Sequence, residues 1–487
     1  MRAAGRHPLA SMEPAEEGVA NVEPPRWERL SSLDVSFLYL EGPTTAMHVG
    51  GVATFAPPTT GFDVDRLVRR ISARIATVPR YRQKVRFVPG HLANPVWVDD
   101  PDFDLGYHVR RSALPRPGTD AQLRELVGRI QGRPLDRSRP LWELYVVEGL
   151  ADGRFAIVTK THHAMVDGIS AVDIGQLILD STPEPRESAP IAWTPAPEPS
   201  SVELLADAVA DLVATPTDLV KTARTALDDA RRTAEGLLAG AGGFLAAVRT
   251  ATRLAPESPL NVDIGSSRRY GTARTELDDY KRVRKAHGGT VNDVVLATVS
   301  GALRQWLLTR GEPVPATTTV RALVPVSVRG EDSAAALGNR ISAYLVDLPV
   351  GEPEPLQRLA TVSAAMRAHK EAGQSVGAEA LVALSGFAPP TLHALGARVV
   401  STYSRRLFNL VVTNVPGPQF PLYADGAQMC AAFPVVPLVK GQAVSIGLTS
   451  YDGGVFYGLN ADRDAMPDVQ VLCDLLPEAV AELVETV

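Results

Sequence analysis

Two adjacent histidines, His162 and His163, are followed by Asp167 and Gly168 in the run THHAMVDG at 161–168. An imidazole titrates near neutral pH. A histidine steered by a nearby carboxylate can therefore take a proton from a weak nucleophile and return it to a leaving group. The pattern points to general acid–base chemistry rather than to a metal. Neighbouring residues on a strand face opposite sides, and no third and fourth ligand stands at zinc-like spacing. A histidine pair alone is often part of a satisfied core; the whole H-H-x-x-x-D-G pattern carries more information. A covalent acyl-enzyme is not expected, because the chain has no G-x-S-x-G elbow and its two cysteines, Cys430 and Cys473, lie far from His163 in sequence.

These residues need a rigid frame. Residues 155–161 alternate Phe155, Ile157 and Thr159 on one side and read as a strand; 169–179 place Ala171, Ile174, Leu177 and Ile178 at helical spacing. The histidines thus sit on a tight strand-to-helix connection, a common place for chemistry on a scaffold. A helix is predicted at 122–130 and a strand at 142–147. The Pro-rich run at 181–200 reads as a linker. Residues 203–254 are Ala-rich and helical in pattern, either packed on or bridging the lobes or forming an amphipathic lipid contact, which Asp207, Asp211, Asp218, Asp228 and Asp229 disfavour. The glycines at 236–243 lack the spacing of a dinucleotide loop. The second half resumes near Arg274, with a helix at 291–308 and strands at 320–328, 342–348, 409–413, 443–449 and 455–459. The histidine motif occurs once, so one active site is expected at the junction of two comparable halves.

The chain has 487 residues, too many for one ordinary core, with 45% hydrophobic and 21% charged residues, as in a globular protein. A net charge of −6 and no basic patch with interleaved aromatics argue against a nucleic-acid partner. Two cysteines give no disulfide framework and fit a reducing cytosol. Residues 1–28, rich in Pro, Ala and Glu without an apolar stretch, read as a disordered extension and not as a secretory signal. No run of about 20 apolar residues is present to span a bilayer. The abundance of Gly, Pro, Ala, Arg and Val suggests a GC-rich bacterial source.

The H-H-x-x-x-D-G pattern resembles the active-site motif of the acyl-CoA-dependent acyltransferase superfamily that includes chloramphenicol acetyltransferase and peptide-synthetase condensation domains. Further blocks narrow the resemblance to the bacterial wax ester synthase/diacylglycerol acyltransferases. They are LSSLDVSFLYLEGPTTAMHVGG at 30–51, PLDRSRPLWELYVV at 134–147 with Pro140, Leu141 and Trp142, and VNDVVLA at 291–297 with Asn292 and Asp293. LGNRIS at 337–342, TNVPGP at 413–418 and SYDGGVFYGLNADRDAMPD at 450–468 follow in order. The resemblance implies an α/β (mixed α+β) fold of two chloramphenicol-acetyltransferase-like lobes, each a mixed sheet flanked by helices, with a tunnel between them. It divides the chain into the extension at 1–28, a first lobe at 29–180, a linker with amphipathic helices at 181–256 and a second lobe at 257–487.

It also implies a function. A long-chain acyl group would pass from its CoA thioester to diacylglycerol, with acyl-CoA a substrate and no metal or redox cofactor. Alternatives are a wax ester synthase using a fatty alcohol, a condensation-like enzyme with another hydroxyl acceptor, and a non-catalytic lipid-surface scaffold. His163 is the expected base, His162 the supporting residue, Asp167 a loop anchor through an arginine, and Gly168 the residue that lets the helix start close to the strand. Pro140, Leu141 and Trp142 read as scaffold. Asn292 is either a helix cap or a group near the acyl carbonyl, Asn339 a turn residue, and Asn414 part of a shaped loop beside the tunnel. Pro43, Thr44, Thr45 and Met47 line or support the channel. The expected location is the cytoplasm, with peripheral attachment to a membrane or lipid inclusion.

Overall fold

The computed structural model describes residues 27–57, 61–166, 174–187, 193–214, 254–327, 341–371, 376–377 and 407–487. Asp167, Gly168, Asn339, nearly all of the N-terminal extension, the early part of the helix expected after the motif and most of the Ala-rich stretch lie outside them.

The first half runs α1 (Ser32–Leu40), β1 (His48–Phe55), α2 (Val64–Ile75), β2 (Val109–Ala113), α3 (Asp120–Gln131), β3 (Trp142–Glu148), β4 (Phe155–His162), α4 (Ile174–Ile178) and α5 (Ser201–Ala214). The second runs β5 (Arg268–Glu276), α6 (Leu277–His287), α7 (Val291–Thr309), β6 (Val320–Ser327), β7 (Ile341–Leu348) and α8 (Pro355–Glu371). It continues through β8 (Leu410–Pro416), β9 (Tyr423–Ala424), β10 (Ala427–Val435), β11 (Val444–Tyr451), β12 (Gly454–Asp462) and α9 (Val469–Val484).

Local chemistry explains the ends of the main helices. Ser31 and Asp34 form a reciprocal capping box on α1, Thr119 and Gln122 one on α3, and Thr290 and Asp293 one on α7. Helix α7 is mostly apolar and buries Val294, Val295, Ala302, Leu303 and Trp306, as its pattern predicts. Each fully buried valine or leucine among them contributes roughly 1.5–3 kcal/mol relative to exposure. The expected strands at 142–147, 155–161, 320–328 and 455–459 appear as β3, β4, β6 and β12, most of them longer by one to a few residues.

Two sheets result. The second-lobe sheet has the order 376–377, β7, β6, β8, β11, β12, β5, with β8 parallel to both neighbours. The first-lobe sheet has the order β9, β10, β1, β4, β3, β2. Its strands β9 and β10 come from the second half of the sequence, so the sheets do not follow a linear division of the chain. Strand β10 pairs antiparallel with β1 as far as its last residue, Val435, and there its Pro434 lies against β12. At the crossing, a Cβ on Gly458 would collide with the Pro434 carbonyl and the Tyr270 hydroxyl, so only glycine allows the two strands to meet. The expectation that ordered structure resumes near Arg274 is corrected. Strand β5 starts six residues earlier and pairs along its whole length with β12 from Gly454↔Glu276 to Asp462↔Arg268. Its charged residues, Arg268, Arg269, Arg274 and Glu276, lie toward its two ends and mask a strand whose middle, Tyr270 and Gly271, is buried on both faces.

Candidate functional site

Strand β4 lies between β1 and β3, and its last residue, His162, pairs with His48 across the ladder. The His162 N–H bonds the Leu141 carbonyl at 2.9 Å. Trp142 is completely buried, donates Nε1–H to the Tyr81 carbonyl at 2.8 Å and stacks on His108 at 4.6 Å. The His108 Nδ1–H closes the unit on the Trp142 carbonyl at 2.7 Å. Pro140, Leu141 and Trp142 are therefore scaffold, anchoring the strand that presents the histidines.

After His162 the chain enters a single 3₁₀ turn, His163–Met165. The two imidazoles part there, as neighbours at a strand end should. His162 is fully buried, whereas His163 is half-buried. The His163 N–H bonds the Met47 carbonyl at 2.8 Å, and its ring stacks on Phe37 of α1 with centroids 4.0 Å apart. His162 caps the turn: its Nδ1 accepts the Ala164 N–H at 3.1 Å. A neutral ring that accepts at Nδ1 must carry its proton on Nε2. That nitrogen faces the Glu41 carboxylate, with Oε2 3.7 Å away.

Glu41 follows α1 as its C-cap, and its Oε2 receives both Nε and Nη2 of Arg137 at 2.8 and 2.5 Å. Its Oε1 accepts the Met47 N–H at 3.3 Å. Burial pushes the Glu41 carboxyl up, but His162 and Arg137 outweigh it and hold it down at about 2. Burial also lowers His162 and keeps it neutral at pH 7, so the Arg137 guanidinium is the cation that answers the carboxylate. His48 donates Nε2–H to the Gln131 carbonyl at 2.9 Å; burial, assisted by Lys160, holds it down at about 3. Lys160, also buried, donates to the Ile130 and Arg133 carbonyls at the end of α3 and stands 3.5 Å from Glu143. That pairing suits a cation at a helix C-terminus.

The turn before β1 is held by the Gly42↔Thr45 bridge, with Thr45 and Met47 buried and Pro43 exposed. The Thr44 carbonyl accepts from Arg268 of β5, a direct link from the second lobe to the turn three residues before Met47. The histidine pair therefore stands close to the junction of the lobes. In the second lobe the Asn-Asp pair divides its work. The cap of α7 is Thr290, and the Asp293 Oδ2 accepts the Thr290 N–H at 2.8 Å, which corrects the reading of Asn292 as a cap. Asn292 instead accepts from Asn414 Nδ2 at 3.3 Å, joining α7 to β8.

Four residues around the histidines were not singled out by sequence reasoning: Phe37, Glu41, His48 and Arg137. All lie inside the two quoted blocks, at 30–51 and 134–147. A lone carboxylate followed by a glycine gives no local sign that it faces a histidine 121 positions away.

Comparison with known proteins places this geometry. Residues 30–295 match the wax ester synthase/diacylglycerol acyltransferase catalytic domain, and 337–484 match the C-terminal domain of the same proteins. The chain is 36% identical, over 93% of its length and 98% of the relative's, to a probable diacylglycerol O-acyltransferase, tgs2, of Mycobacterium tuberculosis. It is 34% identical to a second probable diacylglycerol O-acyltransferase of that organism, tgs1, over 93% of this chain and 95% of the relative. The wax ester synthase/diacylglycerol acyltransferase from Marinobacter aquaeolei superposes with a TM-score of 0.66 at 30% identity, covering 94% of this chain and 99% of that one.

Proposed function

Because the chain belongs to the wax ester synthase/diacylglycerol acyltransferase family, we propose that this acyltransferase moves a long-chain acyl group from CoA to the free hydroxyl of diacylglycerol, with His163 as the base. The observation that carries the reading is the division between the two histidines. His162 is fully buried with Nδ1 occupied by a backbone N–H, whereas His163 is half-buried on the turn beyond the strand. Only a ring that substrate can reach can take its proton.

A hydroxyl attacks a thioester poorly at neutral pH. As its oxygen bonds the acyl carbon, its proton passes to the His163 imidazole. When the carbon–sulfur bond breaks, the same proton goes to the departing CoA sulfur. Such a base contributes about 10²–10⁴-fold. Direct transfer needs neither a metal nor a redox cofactor. The negative charge that develops on the carbonyl oxygen requires donors already in place, and Asn292 is the amide proposed for it. With its Oδ1 held by Asn414, its Nδ2–H is left to donate. Asp167 and Gly168 would hold the loop after the turn. Pro43, Thr44, Thr45 and Met47 would flank the channel at the lobe junction.

The acceptor assignment rests on the relatives named diacylglycerol O-acyltransferase. A second reading, a fatty alcohol acceptor, is favoured by the likeness to the Marinobacter wax ester synthase/diacylglycerol acyltransferase. The acceptors are insoluble, and among the described residues no helix is long and apolar enough to cross a bilayer. Contact with a membrane or lipid inclusion would then be peripheral. The test offers palmitoyl-CoA with dioleoylglycerol or hexadecanol in mixed micelles. Faster CoA release with dioleoylglycerol is expected. A preference for hexadecanol would move the assignment to wax ester synthesis, and no release with either would remove both.

A further inference from the structure

Several of the contacts around the turn that carries His163 meet at one carboxylate. Glu41 Oε2 faces the protonated nitrogen of His162 at 3.7 Å. Its Oε1 accepts the Met47 N–H at 3.3 Å, and the carbonyl of the same Met47 holds the His163 N–H at 2.8 Å. Its own N–H bonds the Phe37 carbonyl at 3.2 Å, and Phe37 supplies the ring stacked on His163. Arg137 completes the arrangement from the loop before β3. It donates Nε and Nη2 to Glu41 and a further bond to the Leu38 carbonyl at 2.7 Å, tying that loop to the end of α1.

We propose that Glu41 and Arg137 form a positioning pair for the acyltransferase centre, with the anchored carboxylate fixing the proton of His162 on Nε2 and so holding His163 and its turn in register. This rests on the reading of His163 as the base. His162 is thereby a neutral strut between two partners that demand opposite things of its nitrogens. Ala164 N–H requires an acceptor at Nδ1, and the carboxylate requires a donor at Nε2. A carboxylate only accepts, so it enforces this choice; a carboxamide would also tolerate the reverse tautomer. Among the described residues, the other charged or titratable groups around His162 include His48 across the ladder, His163 itself, Arg137 and, two residues back on the same strand, Lys160. Burial keeps His48 neutral with its Nε2–H on the Gln131 carbonyl, and Arg137 can only donate, so the carboxylate is the acceptor that the His162 Nε2–H faces.

The full chain carrying Glu41→Gln, Arg137→Met or both tests this, with CoA release measured at saturating acceptor and varied acyl-CoA. Glu41→Gln is expected to lower kcat by about 10–100-fold, by analogy with the loss of the carboxylate that orients a metal-bound histidine, with the acyl-CoA KM changed less than about threefold. If Arg137 acts through Glu41, the double variant loses no more than the worse single variant; separate structural roles would multiply. Imidazole ¹⁵N spectra of the native chain give a second readout that does not depend on turnover. His162 should show a neutral ring protonated on Nε2 at pH 7. An unchanged kcat in folded Glu41→Gln, multiplying losses in the double variant, or a His162 proton on Nδ1 would each overturn the proposal. Full activity in His163→Ala would instead remove the base assignment, leaving the His162 tautomer and the Glu41–Arg137 coupling to be decided by the other two measurements.

Discussion

Lowering the pH from 7.5 to 5 should destabilise this protein through histidines that cannot take up a proton while folded. His48 is the one whose magnitude follows from the structure. It is buried at the start of β1 with Nε2–H on the Gln131 carbonyl, and burial holds it down at about 3 against 6.5 for a free histidine. Between those values the unfolded chain binds a proton that the folded chain refuses. Stability must therefore fall as pH falls through 6.5 and go on falling until about 3. At pH 5 the unfolded histidine is 1.5 units below its own pKa, so the loss from His48 alone is about 2 kcal/mol at 1.36 kcal/mol per unit. Burial shifts His108 and His162 in the same direction, so they add to the slope. Glu41 acts in a lower window. Its folded pKa of about 2 against 4.5 keeps its contribution nearly whole at pH 5 and surrenders it below. The assay is urea unfolding at pH 7.5 and 5, followed by circular dichroism, for the native chain and His48→Gln, whose amide can still donate to Gln131. The variant should flatten the pH difference by about 2 kcal/mol. Equal pH differences in the two proteins would refute the assignment of a neutral, buried His48.

Gly50→Ala should be among the most damaging small substitutions. The added Cβ would strike the Thr159 carbonyl in the adjacent strand, two residues from the His48↔His162 rung. A loss of about 1–3 kcal/mol or more, read as a lower melting temperature, is expected together with reduced turnover. Native stability in that variant would show that β1 and β4 are farther apart than described. Trp142→Phe keeps most of the packing but removes the Nε1–H bond to Tyr81, leaving a buried carbonyl without its donor. It should cost about 1–3 kcal/mol in unfolding free energy, and no cost would mean the Tyr81 carbonyl finds another partner.

Some of this was legible in the sequence and some was not, for physical reasons. Helix α7 and strands β3, β4, β6 and β12 carry strong, uninterrupted patterns, and the structure places them within a few residues of expectation. The two histidines were legible because type, spacing and flanking elements agree. Strand β10 was not. Its residues alternate weakly because one edge pairs with the first-lobe sheet while its end presses on the second, so both sides are partly covered. The Asn292–Asp293 pair showed where a helix begins but not which residue caps it, because Thr290 supplies the oxygen from outside the motif. Glu41 and Arg137 were hidden for a related reason: a long-range ion pair leaves no periodic trace in the chain, and only folding α1 beside the loop before β3 brings the two together.

In the proposed reaction His163, and not His162, takes the acceptor's proton. The direct measurement is acceptor-dependent CoA release from palmitoyl-CoA by His163→Ala and His162→Ala, compared with the native chain at matched folded concentration. His163→Ala should lose about 10²–10⁴-fold in kcat while keeping its melting temperature. His162→Ala should lose stability as well as rate, because it leaves the Ala164 N–H without its acceptor. Turnover by His163→Ala at the native rate, or a clean loss of chemistry confined to His162→Ala, would contradict that assignment.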